Sequence, residues 1–301
     1  MTDDATTGNE KDRKKIDVSD IRSALKGMVS FFTLWHMDIE QKDMDAMEHN
    51  FYLVPIVGMM FAVIILVELL ILGLMASEIG FGSGMFTAIV ILGTVYIGSK
   101  FIHFDGLTDF GDGMIVSGQR EDHVRALKDT LVGAGGIGVA LVVVLASVAA
   151  YSMCGFSLYG VTWLLLIATL AEILVKNAMV AAAAFGEPGH GMAGRQVSLT
   201  TVKSLYKSIV VSVVCGVIMI LLAYGVECAL VKYDPAMLFN IVDGIFMLVI
   251  GLVVSIVAGW LMARTANRNF GMVNGDILGA TNEISRAAIV IILCIVAAIS
   301  S

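Results

Sequence analysis

An all-α, polytopic membrane bundle of about seven transmembrane helices, preceded by an amphipathic helix, is what this sequence predicts. Composition is the first reason. Of 301 residues 58% are hydrophobic and 15% charged, with a mean hydropathy of +0.88, more apolar surface than a water-soluble core can hide. The second is that the apolar residues gather into runs, at about 52–76, 84–103, 130–153, 159–185, 206–232, 237–262 and 285–301, most of them near the roughly 20 residues that cross a bilayer as a helix. The third is the placement of basic residues. With a cytoplasmic N-terminus, the loops 104–129, 186–205 and 263–284 share one side and carry Arg120, Arg125, Lys128, Arg195, Lys203, Arg264 and Arg268. The opposite loops at 77–83, 154–158 and 233–236 have no Lys or Arg, and Lys232 alone stands near them. This asymmetry predicts a multi-pass protein of the cytoplasmic membrane with those basic loops inside.

Taken in order, residues 1–17 form a polar tail with the basic cluster Lys11, Arg13, Lys14 and Lys15 and no signal-peptide pattern, and residues 18–301 form one membrane domain. Ile21, Leu25, Met28, Phe32 and Trp35 recur every three or four residues, so an amphipathic helix is expected to pack against the cytoplasmic side of the bundle, with 38–51 leading straight into the first span. Pro55 suits the first turn of that span, which also carries Glu68. The third begins with Gly133-Ala134-Gly135-Gly136-Ile137-Gly138, a formal dinucleotide-binding pattern with no strand before it, so small-residue helix packing is the plainer reading. Its free amides offer a phosphate contact. In the fourth span Glu172 and Lys176 stand four residues apart, either as a structural salt bridge or with Lys176 touching substrate. The final run is short. Cys154, Cys215, Cys228 and Cys294 have no metal-site spacing and read as small buried apolar residues.

Chemistry concentrates in Ile102-His103-Phe104-Asp105-Gly106-Leu107-Thr108-Asp109-Phe110-Gly111-Asp112-Gly113. On a helix, Asp105, Asp109 and Asp112 share one face, and three like charges there repel unless a cation sits between them. Hard oxygen ligands at this spacing suit Mg²⁺ or Mn²⁺, which commonly share their remaining positions with substrate phosphates. The competing reading is a solvated acidic loop. Gly106, Gly111 and Gly113 favour the site, since they let a bulky ligand approach the backbone. A second cytoplasmic stretch holds Arg264, Arg268 and Gly275-Asp276-Ile277-Leu278-Gly279-Ala280-Thr281-Asn282-Glu283, able to complete the site with a carboxylate for metal and arginines for phosphate.

At these two stretches the chain resembles the cobalamin synthase family, the adenosylcobinamide-GDP ribazoletransferases. Its members look like His-x-Asp-Gly-Leu-x-Asp-x-x-Asp-Gly in the first cytoplasmic loop and Gly-Asp-x-Leu-Gly-Ala-x-Asn-Glu near the C-terminus, and both patterns are present. The chain departs at Asn274, where Thr is usual, at Ser99 and Lys100, where a Gly pair is frequent, and at Gly186, where an arginine is common. That last change raises the question whether Lys176 or Arg195 takes the arginine's part. The resemblance implies a Mg²⁺-dependent transfer in which a ribose hydroxyl of α-ribazole, or of its 5'-phosphate, attacks adenosylcobinamide-GDP and GMP leaves. By that logic Asp105, Asp109 and Asp112 are metal ligands, with Asp276 joining them or binding substrate. Asp112 or His103 takes the hydroxyl proton. Asn282, Glu283, Arg264, Arg268 and Lys176 are assigned to substrate, and Arg120 and Arg125 are weaker candidates.

The expected partners are those two substrates and membrane lipid, with no nucleic acid and with homo-oligomers allowed. The corrin ring is expected over the cytoplasmic mouth of the bundle. The alternatives are another intramembrane phosphotransferase, such as a CDP-alcohol phosphatidyltransferase, whose Ala-Arg after Asp-Gly is missing here, or a prenyltransferase. A cation or corrinoid transporter would want its charges nearer the bilayer midplane.

Overall fold

The computed structural model describes residues 20–154, 158–230 and 241–300. The basic tail, Lys232 and the loop at 233–236 lie outside the described residues. Among the described residues twelve α-helices are formed, with no strand beyond one isolated bridge. Before the first span come α1 (Ile21–Phe32) and α2 (Gln41–His49); then follow α3 (Pro55–Ile79), α4 (Gly84–Gly98), α5 (Ile102–Ile115), α6 (Arg120–Leu127), α7 (Ala134–Met153) and α8 (Leu158–Phe185). The chain ends with α9 (Gly191–Leu199), α10 (Val202–Leu230), α11 (Ile241–Asn269) and α12 (Gly275–Ser300). Among the described residues six are long and apolar enough to cross a membrane, namely α3, α7, α8, α10, α11 and α12, and the bent pair of α4 and α5, counted as one span, makes seven.

The second apolar run, 84–103, is not one straight span. It breaks at Ser99–Phe101 and α5 leaves at 94° to α4. At about 1.5 Å per residue, the 14 residues of α5 reach only ~21 Å, short of the roughly 30 Å hydrocarbon layer, and its three aspartates keep it at the end of the bundle. Lys100 and Phe101 make the corner in the left-handed region, at φ 56° and 57°.

Other boundaries also differ from the expectations. The amphipathic helix stops at Phe32, so Trp35 is exposed, and 38–51 contain α2 and a 3-10 turn before Pro55 starts α3. The last span is not short, because α12 begins ten residues before the apolar run and takes in the second motif. The loops 104–129, 186–205 and 263–284 are largely helical, and Arg264 and Arg268 stand on α11. Of the four cysteines only Cys215 is buried; Cys154 and Cys294 are half-buried and Cys228 is exposed.

The bundle is organised around α8, whose central apolar stretch is wholly buried between α3, α10, α11 and α12. With no lipid-facing side, α8 can carry Glu172, Lys176 and Asn177. Its neighbours approach through small residues: a side chain at Gly58 would strike the Glu172 carbonyl, and one at Gly259 the Ala178 carbonyl. In contrast α10 turns Val210, Val214 and Leu221 outward, as a lipid-facing helix does. At one end of the bundle α1 lies on α2, joined by Lys26–Asp43 at 3.1 Å, and Arg195 of α9 grips Glu48 at 2.8 and 3.1 Å. The Glu40 amide, then Ser23 and Lys26, hold the Asp43 carboxyl down at about 2 against the cost of burial.

Candidate active site

The two motifs meet because glycines let α5 and α12 touch. A Cβ on Gly106 would lie 2.7 Å from the Asp276 carbonyl oxygen, and one on Gly279 would lie 3.2 Å from the His103 backbone. Gly106, expected to admit a ligand, admits a neighbouring helix instead. Gly111 likewise faces Gly136 of α7, and Gly113 faces Phe270.

Asp105, Asp109 and Asp276 face the same end. Asp105 is exposed, while Asp109 and Asp276 are half-buried. Asn274 turns the start of α12: its Oδ1 accepts the Ile277 amide at 3.1 Å and its Nδ2 donates to Asp276 Oδ2 at 2.7 Å. Asn here does the capping that Thr also provides. Among the described residues no Lys or Arg pairs with these three carboxylates, although Lys128 is near enough to act on Asp276. Burial, and then the charges of Asp276, Asp105 and Asp112, push Asp109 up to about 6. No three His, Cys, Asp or Glu side chains among the described residues converge to hold a metal alone. The donor set nonetheless fits a hard dication in charge and oxygen chemistry, provided that water and substrate oxygens complete it.

Asp112 has other partners. Its carboxylate accepts the Gly133 amide at 2.6 Å and the Gly136 amide at 2.7 Å, capping the N-terminus of α7 from outside. The helix start that sequence offered to a phosphate is thus filled by the protein's own anion.

His103 turns inward. It is 2% exposed, stacks on Phe32 at 5.8 Å, and its Nε2 lies 2.8 Å from Lys176 Nζ. Burial, then the charges of Lys176 and Arg286, hold it well below the usual histidine range, so it accepts a hydrogen bond from the ammonium. Lys176 also donates to Asn282 Oδ1 at 2.7 Å, Asn282 to Glu283 Oε1 at 2.8 Å, and Tyr96 to Glu283 Oε2 at 3.0 Å. Arg286 closes the network, pairing with Glu283 and, through Nε and Nη2 at 2.8 and 3.2 Å, with both oxygens of Glu172.

The Glu172–Lys176 salt bridge therefore does not form: Glu172 takes Arg286 and Lys176 takes His103 and Asn282. Arg286 was missed because it lies within the last apolar run. A fully buried arginine there is itself the signal, since an ionisable residue in a span must have a partner.

Arg264 and Arg268 are exposed, Arg264 lying over the Trp260 ring at 5.5 Å, and among the described residues neither makes an ion pair. Of the two residues weighed for the arginine's part, Lys176 bonds His103 and Asn282 in the core and Arg195 pairs with Glu48. Gly186 instead packs against Val273, in a loop bound to the entrance of α12 by a parallel bridge between Pro188 and Val273, with the Gly189 amide donating to the Val273 carbonyl at 3.1 Å.

The profile of the cobalamin-5-phosphate synthase family matches residues 24–294. The chain belongs to that family. It is a transferase of cobalamin biosynthesis with several membrane-spanning helices. Among its relatives, the adenosylcobinamide-GDP ribazoletransferase of Methanocella arvoryzae is 30% identical over 270 residues, covering 88% of this chain and 93% of the relative. Its counterpart from Methanosarcina barkeri is 27% identical over 298 residues, covering 92% and 93%. That of Pyrococcus abyssi is 30% identical over 214 residues, covering 68% and 75%. No solved structure matches the chain. Family membership agrees with the resemblance drawn from the two motifs.

Proposed function

We propose that the chain joins adenosylcobinamide-GDP to α-ribazole, or to its 5'-phosphate, releasing GMP, at the end of the bundle where α5 meets α12. The observation that carries this is the acidic face: three carboxylates from both motifs without a paired cation among the described residues, at a junction built by Gly106. Unpaired negative charge at an accessible surface suits a site completed by a cation and a polyphosphate. Asp105, Asp109 and Asp276 would hold Mg²⁺, which when bound would offset charge on the diphosphate.

The protein's part is to position the reactants. Asp112 fixes α5 against α7, and the network from His103 to Glu172 fixes α5 and α12 against α8. Asp112 is engaged on the α7 amides and His103 is enclosed, so neither is free to accept the proton of the attacking hydroxyl. Arg264 and Arg268, exposed at the end of α11, are assigned to the phosphate of the GMP portion. The excess of basic residues supports a cytoplasmic position for this end and for the N-terminus, with the corrin ring resting against it.

The test is GMP release by membranes carrying the chain, with each ribazole form, with and without Mg²⁺. Wild type should release GMP only with the metal, and Asp109→Asn at equal folded amounts should lose at least about 100-fold. Folded wild-type protein that yields no product with either form overturns the reading, and CDP-alcohol and prenyl diphosphate substrates follow.

A further inference from the structure

At the opposite end of α7 from the Asp112 cap, Cys154 follows the last helical residue and Cys294 faces it from α12. The two sulfurs lie 2.8 Å apart, less than an ångström beyond the covalent S–S length of roughly 2.0 Å. Both also approach one acceptor, the Ala150 carbonyl, Cys294 at 3.3 Å and Cys154 at 3.8 Å. Buried as packing groups they would be sealed. Both are instead partly accessible and border a cavity of about 610 Å³ whose walls include Met153, Trp163, Ile291 and Ile295. Cys215 and Cys228 stand elsewhere on α10.

We propose that Cys154 and Cys294 are a redox-active dithiol that closes into a disulfide linking α7 to α12. The reaction is thiol–disulfide exchange with a small disulfide oxidant. One thiolate attacks the oxidant, forming a mixed disulfide and releasing one thiol; the second thiolate then attacks the protein sulfur of that bond, forming Cys154–Cys294 and releasing the other. The two protein thiols lose two electrons in all, the oxidant's disulfide gains them, and the two protons pass to the released thiols. In the orientation proposed above this end faces away from the reducing cytoplasm. The bond would clamp together the helix that Asp112 caps and the helix that carries the second motif.

The test uses the full chain in detergent, exposed to oxidised glutathione, with remaining thiols alkylated before digestion. Wild type should yield one peptide pair joined through Cys154 and Cys294, which reduction separates. The Cys215→Ser, Cys228→Ser double variant should lose both remaining thiols together, and Cys154→Ser should leave Cys294 as a glutathione adduct. The proposal is overturned if the wild-type pair stays alkylatable, if each cysteine carries its own glutathione, or if either joins Cys215 or Cys228 instead. None of these readouts needs transferase activity, so the outcome is independent of the proposed function.

Discussion

Helices α5 and α12 each supply polar or charged groups to two places of opposite character. Inside, His103 from α5 and Asn282, Glu283 and Arg286 from α12 meet Lys176 and Glu172, so that two carboxylates face two cations and every group has a partner. Outside, Asp105 and Asp109 from α5 and Asp276 from α12 share one end of the bundle, and among the described residues no Lys or Arg is paired with them. Burying charges costs several kcal/mol per ion unless they are paired and hydrogen-bonded, so the inner set must be complete to exist at all. An accessible set tolerates imbalance and gains by binding something positive. The inner region thus fixes where the helices stand, and the outer one leaves charge available to a ligand.

Substitutions separate the two roles. Arg286→Ala, which strands Glu172 and Glu283 in the core, should cost about 3–5 kcal/mol and read out as a large fall in folded yield and melting temperature in detergent. Gly106→Ala pushes a methyl against the Asp276 carbonyl and should cost about 1–3 kcal/mol, with loss of GMP release beyond what the stability change explains. Asp112→Ala removes the α7 cap and should cost about 0.5–2 kcal/mol, while Asp112→Asn keeps part of it.

Asp109→Asn should have the smallest effect on stability and a large one on activity. With Asp109 raised from 3.8 to about 6, the folded protein binds the proton more tightly than the unfolded chain. Its contribution is therefore full below 3.8 and is lost as pH rises through about 6. Without divalent ions, the wild-type melting temperature should fall across that window, Mg²⁺ should restore it near pH 7, and Asp109→Asn should flatten both responses. A variant that melts early, or one still stabilised by Mg²⁺, would assign Asp109 to the architecture rather than to the ligand.

The spans were legible because burial in lipid is recorded residue by residue in hydropathy, and the two motifs because their aspartates and glycines stand close together in sequence. What escaped was non-local. Glu172 and Lys176 satisfy the spacing rule on one helix, yet each prefers a partner from another helix, which spacing cannot reveal. Asp112 matches Asp105 and Asp109 in sequence and differs only in the amides of α7 before it. Helix α2, Gln41–His49, is short and polar, so its apolar positions leave too faint a period to notice. Arg286 was diluted by the apolar residues around it.

The corner at Lys100 and Phe101 has a bearing on how the chain tolerates shortening. Two consecutive side-chain-bearing residues in left-handed geometry cost roughly 1–2 kcal/mol each, and Lys100 stands where the resemblance leads one to expect glycine. The corner is held from the side by α1 and the residue chain after it: Lys100 Nζ donates to the Ser30 carbonyl at 3.1 Å, and the Leu34 amide to the Gly98 carbonyl at 2.8 Å. The N-terminal segment is in effect a splint. A chain trimmed to begin at α3 would keep every aspartate of the acidic face and still let the first motif drift, and glycine at position 100 is the repair that such a trimmed form would call for.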